Sequence, residues 1–237
     1  MQKVVFRKNE KLDFKSNEAF KTLRTNILFS GSDIKVITLT SSTPNEGKSS
    51  VSFQLASSFA QANNRVLFID ADIRKSVIAG RYKVEGNISG LTHYLTGQRS
   101  KAEVIYETSI INMDIIFAGP VSPNPTELLS SDKFEKLIAE ERENYDYIII
   151  DAPPLGSVID AAIIARYADG SIIVVESGVI SYKMVQRVKE QLDKGGCRVL
   201  GAVLNKVDFE RDSYYGNYYG KYYGKYYGSY GEDSKKK

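Results

Sequence analysis

The chain has 237 residues, 42% hydrophobic and 26% charged, enough to bury one sizeable core with some chain left over. Its 32 basic and 29 acidic residues leave a formal net charge of +3, which gives no electrostatic case for a nucleic-acid partner. A single cysteine, Cys197, excludes an internal disulfide framework and suits a reducing compartment. Residues 1–14 are mixed and charged, and no stretch has the length to span a bilayer, so a cytoplasmic protein is expected.

In chain order, 16–28 comes first. Phe20, Leu23, Ile27 and Leu28 form an apolar stripe there, and Glu18, Lys21 and Arg24 fall three apart beside it, the pattern of an amphipathic helix. Runs rich in β-branched residues follow at 34–40, 66–69, 113–117, 147–150, 171–175 and 199–204 and read as strands. Between them, 48–62, 125–142, 157–167 and 181–194 have helical length and spacing. A helical stretch at 89–97 carries the sole histidine, His93, which reads as a surface or packing residue. Strands alternating with helices imply a mostly parallel sheet covered on both faces, an α/β doubly wound fold. The composition shifts near Val207. We therefore expect a globular domain over 1–207 and a disordered tail over 208–237.

That tail holds nine of the chain's sixteen tyrosines: Tyr214, Tyr215, Tyr218, Tyr219, Tyr222, Tyr223, Tyr226, Tyr227 and Tyr230. Almost without aliphatic residues and punctuated by glycine, it cannot bury enough surface to offset its ordering entropy, so the phenols should be exposed. Taken alone, such a segment is most simply a sticky, stacking tail.

The first strand runs into Ser41-Ser42-Thr43-Pro44-Asn45-Glu46-Gly47-Lys48-Ser49-Ser50. This matches a phosphate-binding loop, with Ser42 in place of the usual first glycine. Backbone N–H groups of Thr43, Pro44's neighbours, Asn45, Glu46 and Gly47 can cradle anionic oxygens at a helix N-terminus. Lys48 adds positive charge near the outer phosphates, and Ser49 can ligate Mg²⁺ with Ser50 beside it. Asp70 and Asp72 end the strand at 66–69, and Asp151 ends that at 147–150. Each aspartate could cap a following helix, but three at the carboxyl edge of parallel strands, where open α/β sheets bind ligands, favour a metal-phosphate site.

With these residues assembled, the chain resembles the bacterial protein-tyrosine kinases of capsule and exopolysaccharide synthesis, of the Gram-positive type, over essentially its whole length. The nucleotide motifs are shared with the deviant-Walker partitioning and septum-siting ATPases. Those that single out the kinases are Glu18-Ala19-Phe20-Lys21-Thr22-Leu23-Arg24-Thr25-Asn26, Gly119-Pro120-Val121-Ser122-Pro123-Asn124-Pro125-Thr126-Glu127-Leu128-Leu129, the Pro153-Pro154 pair and the tyrosine tail. Two positions depart from the family pattern: Lys21 replaces an arginine and Ser76 a common proline.

The resemblance implies ATP and Mg²⁺ as cofactors, with Lys48, Asp70, Asp72 and Asp151 catalytic, Asp70 the candidate base, and Ser49, Asp72 and Asp151 at the metal. It implies that Asn205 contacts adenine and that the nine tail tyrosines are autophosphorylation sites used in trans. A ring-like homo-oligomer would form through Glu18, Lys21 and Arg24, where lysine lacks the planar fork of arginine. A separate transmembrane polysaccharide co-polymerase-like adaptor would hold the kinase at the inner face of the membrane, and a tyrosine phosphatase would oppose it. Three alternatives remain at this level. Asn205-Lys206-Val207-Asp208 also fits a guanine-binding pattern; a partitioning-type ATPase switch would use the same loop; and a scaffold could associate through its tail.

Overall fold

In the computed structural model, residues 2–7, 12–84, 86 and 88–208 are described. In chain order the elements are β1 (Gln2–Val4), α1 (Phe14–Ser30), β2 (Val36–Ser41), α2 (Lys48–Gln61), β3 (Val66–Asp70), α3 (Ile78–Arg81), α4 (Leu91–Leu95), α5 (Lys101–Val104), β4 (Ile105–Thr108), β5 (Met113–Ile116), α6 (Pro125–Leu129), α7 (Asp132–Asn144), β6 (Tyr147–Asp151), α8 (Asp160–Ala165), β7 (Gly170–Glu176), α9 (Tyr182–Lys194) and β8 (Val199–Asn205).

The strands form one sheet in the order β1-β4-β5-β3-β6-β2-β7-β8, and every pairing is parallel except β4 with β5. Successive side chains of a strand point to opposite faces. Leu67, Ile69, Ile148, Ile150 and Ile173 therefore enter one core beneath α7, α8 and α9. Val66, Phe68, Ile149, Ile172 and Val174 enter the other beneath α1, α2 and α3. Helices cover both faces, so the α/β doubly wound reading holds.

Three differences from the sequence reading have local causes. Strands β1 and β4 are only three and four residues long, too short for a periodic signal. The helix expected over 125–142 is two, because Ser131 is extended (φ −76°, ψ 152°) and N-caps α7 anew. Helix α8 is confined to Asp160–Ala165, following the turn that begins at the double proline.

Helix α2 is the most deeply buried of the helices. Small residues, Ser52, Ala56, Ser57, Ser58 and Ala60, let its backbone approach the sheet while Val51, Phe53, Leu55 and Phe59 fill the core. Arg24 of α1 ties into it, donating to the Ser58 carbonyl at 2.5 Å and to Ser58 Oγ at 3.1 Å. Glu18 and Lys21 instead pair with each other along α1 at 2.7 Å. Of the apolar stripe on α1, Ile27 is buried and Phe20 and Leu23 pack against the core, whereas Leu28 faces outward.

Candidate active site

The loop from β2 to α2 is braced from within. Thr43 donates to Glu46 Oε1 through both its N–H and its hydroxyl, and Glu46 Oε2 accepts the Glu176 N–H of β7 at 3.1 Å. Glu46 is only 1% exposed, so its carboxylate holds the loop while its backbone stays in the cradle. Asn45 and Gly47 have φ of 72° and 85°, left-handed values that turn successive N–H groups inward. A Cβ on Gly47 would meet Asn205 Nδ2 at 2.2 Å.

Asn205 lies at the end of β8, behind the loop, and donates to the Glu46 carbonyl at 2.9 Å. Lys206 reaches Asn45 O at 2.7 Å and Glu176 Oε2 at 2.9 Å. The guanine-type tetrapeptide is thus partly engaged in supporting the loop. From the other side, Thr40 Oγ1 donates to Pro153 O at 2.8 Å and accepts from Leu155 N at 3.1 Å. This presses the double-proline turn so close that a Cβ on Gly156 would lie 2.1 Å from Ser42 O. Pro44 is exposed at the loop's tip, and Ser49 and Ser50 open the first turn of α2.

Asp70 and Asp151 end neighbouring strands as register partners, and both project toward α2. Lys48 Nζ is 2.7 Å from Asp151 Oδ1 and 3.3 Å from Ser49 Oγ. Ser52, one turn along α2, donates to the same Oδ1 at 2.8 Å. Asp151 Oδ2 is buried and has no hydrogen-bond partner among the described residues. Burial first, and the Asp151 carboxylate next, push Asp70 up to about 7, against an opposing pull from the Ser76 hydroxyl and Lys48. Asp70 accepts the Ser76 hydroxyl at Oδ2 and, at 3.3 Å, the Asp72 N–H at Oδ1. Asp72 caps the next turn through Lys75 N at 3.0 Å.

Lys48, Asp70 and Asp151, assigned from sequence, therefore meet in one buried cluster, with Asp72 at its margin. Sequence reasoning did not assign roles to Ser52, Ser76, Arg74, Thr126 or Asp160. Ser52 carried a usable signal, four residues after Lys48. Ser76 was visible only as a departure from proline, and that hydroxyl is what reaches Asp70. Arg74 clamps Asp160, with Nε to Oδ2 at 2.6 Å and an Nη to Oδ1 at 3.0 Å, while Thr126 Oγ1 adds a bond at 2.9 Å. Asp160 is fully buried. The clamp ties the loop after Asp72 to α6 and α8, across separations no local pattern reveals. Among the described residues, no three His, Cys, Asp or Glu gather into a metal-holding group. No helix among them is long and apolar enough to cross a membrane.

A parallel sheet with a phosphate-binding loop, a buried lysine and paired strand-end aspartates defines a P-loop nucleoside-triphosphatase fold, and the AAA domain family model matches residues 34–195. Tyrosine-protein kinase CpsD of Streptococcus agalactiae is 45% identical over 205 residues, covering 86% of this chain and 90% of that protein. Tyrosine-protein kinase YwqD of Bacillus subtilis is 37% identical, covering 85% of each. The crystal structure of the chimerical protein CapA2B2 superposes with a TM-score of 0.79 at 31% identity, covering 87% of this chain and 94% of that one. The chain belongs to the bacterial tyrosine-protein kinases, and protein-tyrosine kinase is its enzyme class.

Proposed function

We propose that this kinase transfers the γ-phosphoryl group of ATP to its own C-terminal tyrosines, Tyr214 to Tyr230, in trans within an oligomer. The observation that carries the reading is the buried triad of Lys48, Asp70 and Asp151 at the mouth of the loop. The nine acceptor tyrosines lie outside the described residues. From Asp208 to Tyr230 the chain spans at most roughly 75 Å extended and about 25 Å as a coil, which reaches a neighbour's site as well as its own.

The donor set suits a magnesium nucleotide. Asp151 Oδ2 has no hydrogen-bond partner among the described residues, and Ser49 Oγ lies beside Lys48. Magnesium characteristically takes one or two carboxylates, substrate phosphates and water. Ser49, Asp151 and Asp72 would hold it, and it would neutralise charge on the phosphates. Lys48 holds the phosphoryl oxygens by charge, and the loop's N–H groups orient the chain of phosphates in line. Asp70 accepts the phenolic proton as the tyrosine oxygen bonds to phosphorus and the bond to ADP breaks. Its proton affinity, raised to about 7, suits a general base near neutral pH.

Within the same reading, residues 1–207 form the catalytic domain and 208–237 the acceptor tail. Glu18, Lys21 and Arg24 contribute to a ring-like oligomer through α1. Arg24 also anchors that helix to α2, which would couple the interface to the phosphate loop's own helix. A transmembrane adaptor recruits the kinase to the inner face of the membrane, a tyrosine phosphatase resets it, and its output is the control of capsular or exopolysaccharide synthesis. Residues 214–237 carry five lysines against one Glu and one Asp. Each phosphotyrosine adds about −1.5 to −2 charge, so three would reverse the tail's sign and favour dissociation.

The test is to incubate the protein with Mg²⁺ and ATP, with GTP in parallel, with and without adaptor peptide, and to map phosphate by mass spectrometry beside Lys48→Met. Phosphate on Tyr214 to Tyr230 that requires Lys48 is expected. Nucleotide turnover without tyrosine modification would move the reading to an ATPase switch.

A further inference from the structure

We propose that Arg81, which lies outside the phosphate-loop motif, is a nucleotide-phosphate-binding residue of this kinase. The inference rests on the loop being a nucleotide site. Arg81 is the last residue of α3, and its guanidinium donates to Ser50 Oγ in the first turn of α2. That turn is the N-terminal end of a fourteen-residue helix whose free N–H groups and dipole favour anions. Arg81 therefore adds a full positive charge beside the place where Lys48 already supplies one. Among the described residues no carboxylate pairs with Arg81. Arg74, Arg99 and Arg142, by contrast, each have such a partner.

The placement is rigid. On either side of Arg81, Ile78 and Tyr82 are buried, and the Tyr82 ring stacks on Phe53 of α2 with centroids 3.9 Å apart. Phe53 is one turn beyond Ser50. The two contacts, Tyr82 on Phe53 and Arg81 on Ser50, form successive rungs between α3 and α2 and fix the guanidinium at the helix start. Arginine suits this position because its fork can keep one N–H on Ser50 while turning others to phosphate oxygens.

A brace holding α2 would make the same contact with Ser50, so the experiment must separate charge from support. Binding of Mg²⁺·ATP and Mg²⁺·ADP is measured by titration calorimetry at several salt concentrations for the full chain, Arg81→Gln, Arg81→Lys and Lys48→Met, and melting is followed without nucleotide. The expected result is that Arg81→Gln weakens both nucleotides about tenfold and flattens the salt dependence of binding. Arg81→Lys should recover part of the affinity and most of the salt dependence, and the nucleotide-free melting temperatures of the two Arg81 variants should match that of the wild type. Wild-type affinity in Arg81→Gln, with Lys48→Met impaired, overturns the inference and leaves the nucleotide site intact. An affinity loss with unchanged salt dependence, not recovered by lysine, assigns Arg81 to bracing and also overturns it. Absence of nucleotide binding in the wild-type chain removes the site itself, and both readings fall.

Discussion

Lys48 Nζ lies 2.7 Å from Asp151 Oδ1, with the two side chains only 6% and 1% exposed. Ser52 shares that oxygen, so the pair is both ionic and hydrogen-bonded. Removing one member of such a pair leaves a charge in a poorly solvated place, typically at about 3 to 5 kcal/mol. Lys48→Met should lower the unfolding free energy of the nucleotide-free protein by about 3 kcal/mol, read from urea titration. Adding Asp151→Asn to that chain should recover more than half of the loss, and on the proposed mechanism neither variant should phosphorylate tyrosine.

Asp70 titrates at about 7 in the folded chain, against an ordinary 3.8. Between those values the folded state holds a proton that the unfolded chain has released, so stability falls as pH rises across that window. Asp70→Asn cannot ionise there. Its melting temperature should change less than wild type's between pH 4 and pH 8, on the order of the linkage window itself, and exceed it at the upper end, while tail phosphorylation is lost. For the wild type, kcat/KM for phosphorylation should rise with pH through about 7, because the base must be ionised. A phosphorylation rate that is independent of pH there, or an active Asp70→Asn, would remove Asp70 from the base role.

Asp160 has no exposed surface and depends on Arg74 and Thr126 for its partners. Arg74→Gln should therefore destabilise the fold by about 3 kcal/mol and, by freeing the loop that carries Asp72, lower kcat more than it raises KM. Asp160→Asn in the same chain should restore stability and leave the kinetic defect, since the loop stays untied. Equal recovery of stability and kcat would show that the clamp contributes only to folding.

Gly47→Ala meets two obstacles, a φ of 85° that costs an L residue about 1 to 2 kcal/mol and the side-chain amide of Asn205 in the path of the new Cβ. Nucleotide affinity should fall at least tenfold, in line with loss of the loop's cradle, and the melting temperature should drop. Combining it with Asn205→Gly should recover part of the stability, because only the collision is relieved.

On the proposed division of the chain into a catalytic domain and an acceptor tail, a chain ending at Asp208 should melt within about 2 °C of the whole protein. It should also carry no phosphotyrosine of its own while phosphorylating the tail of a Lys48→Met partner. Unlabelled partner protein would point to transfer in cis.

Much of this was legible in the sequence because the signals are local. β-Branched runs separated by helical periods dictate a parallel sheet with two covered faces, and strand-end aspartates must then lie on one edge with the loop. Asp70, Asp151 and Lys48 could be placed together on those grounds alone. Tertiary structure decided what depends on separations of tens of residues. Register across β3 and β6 sets the two carboxylates side by side, and that proximity, with burial, raises the proton affinity of Asp70. Packing of α3 on α2 delivers Arg81 to Ser50, and the Arg74–Asp160 clamp joins residues 86 apart. The short strands β1 and β4 also required the fold, because a few residues acquire strand structure from the neighbours that pair with them rather than from their own periodicity.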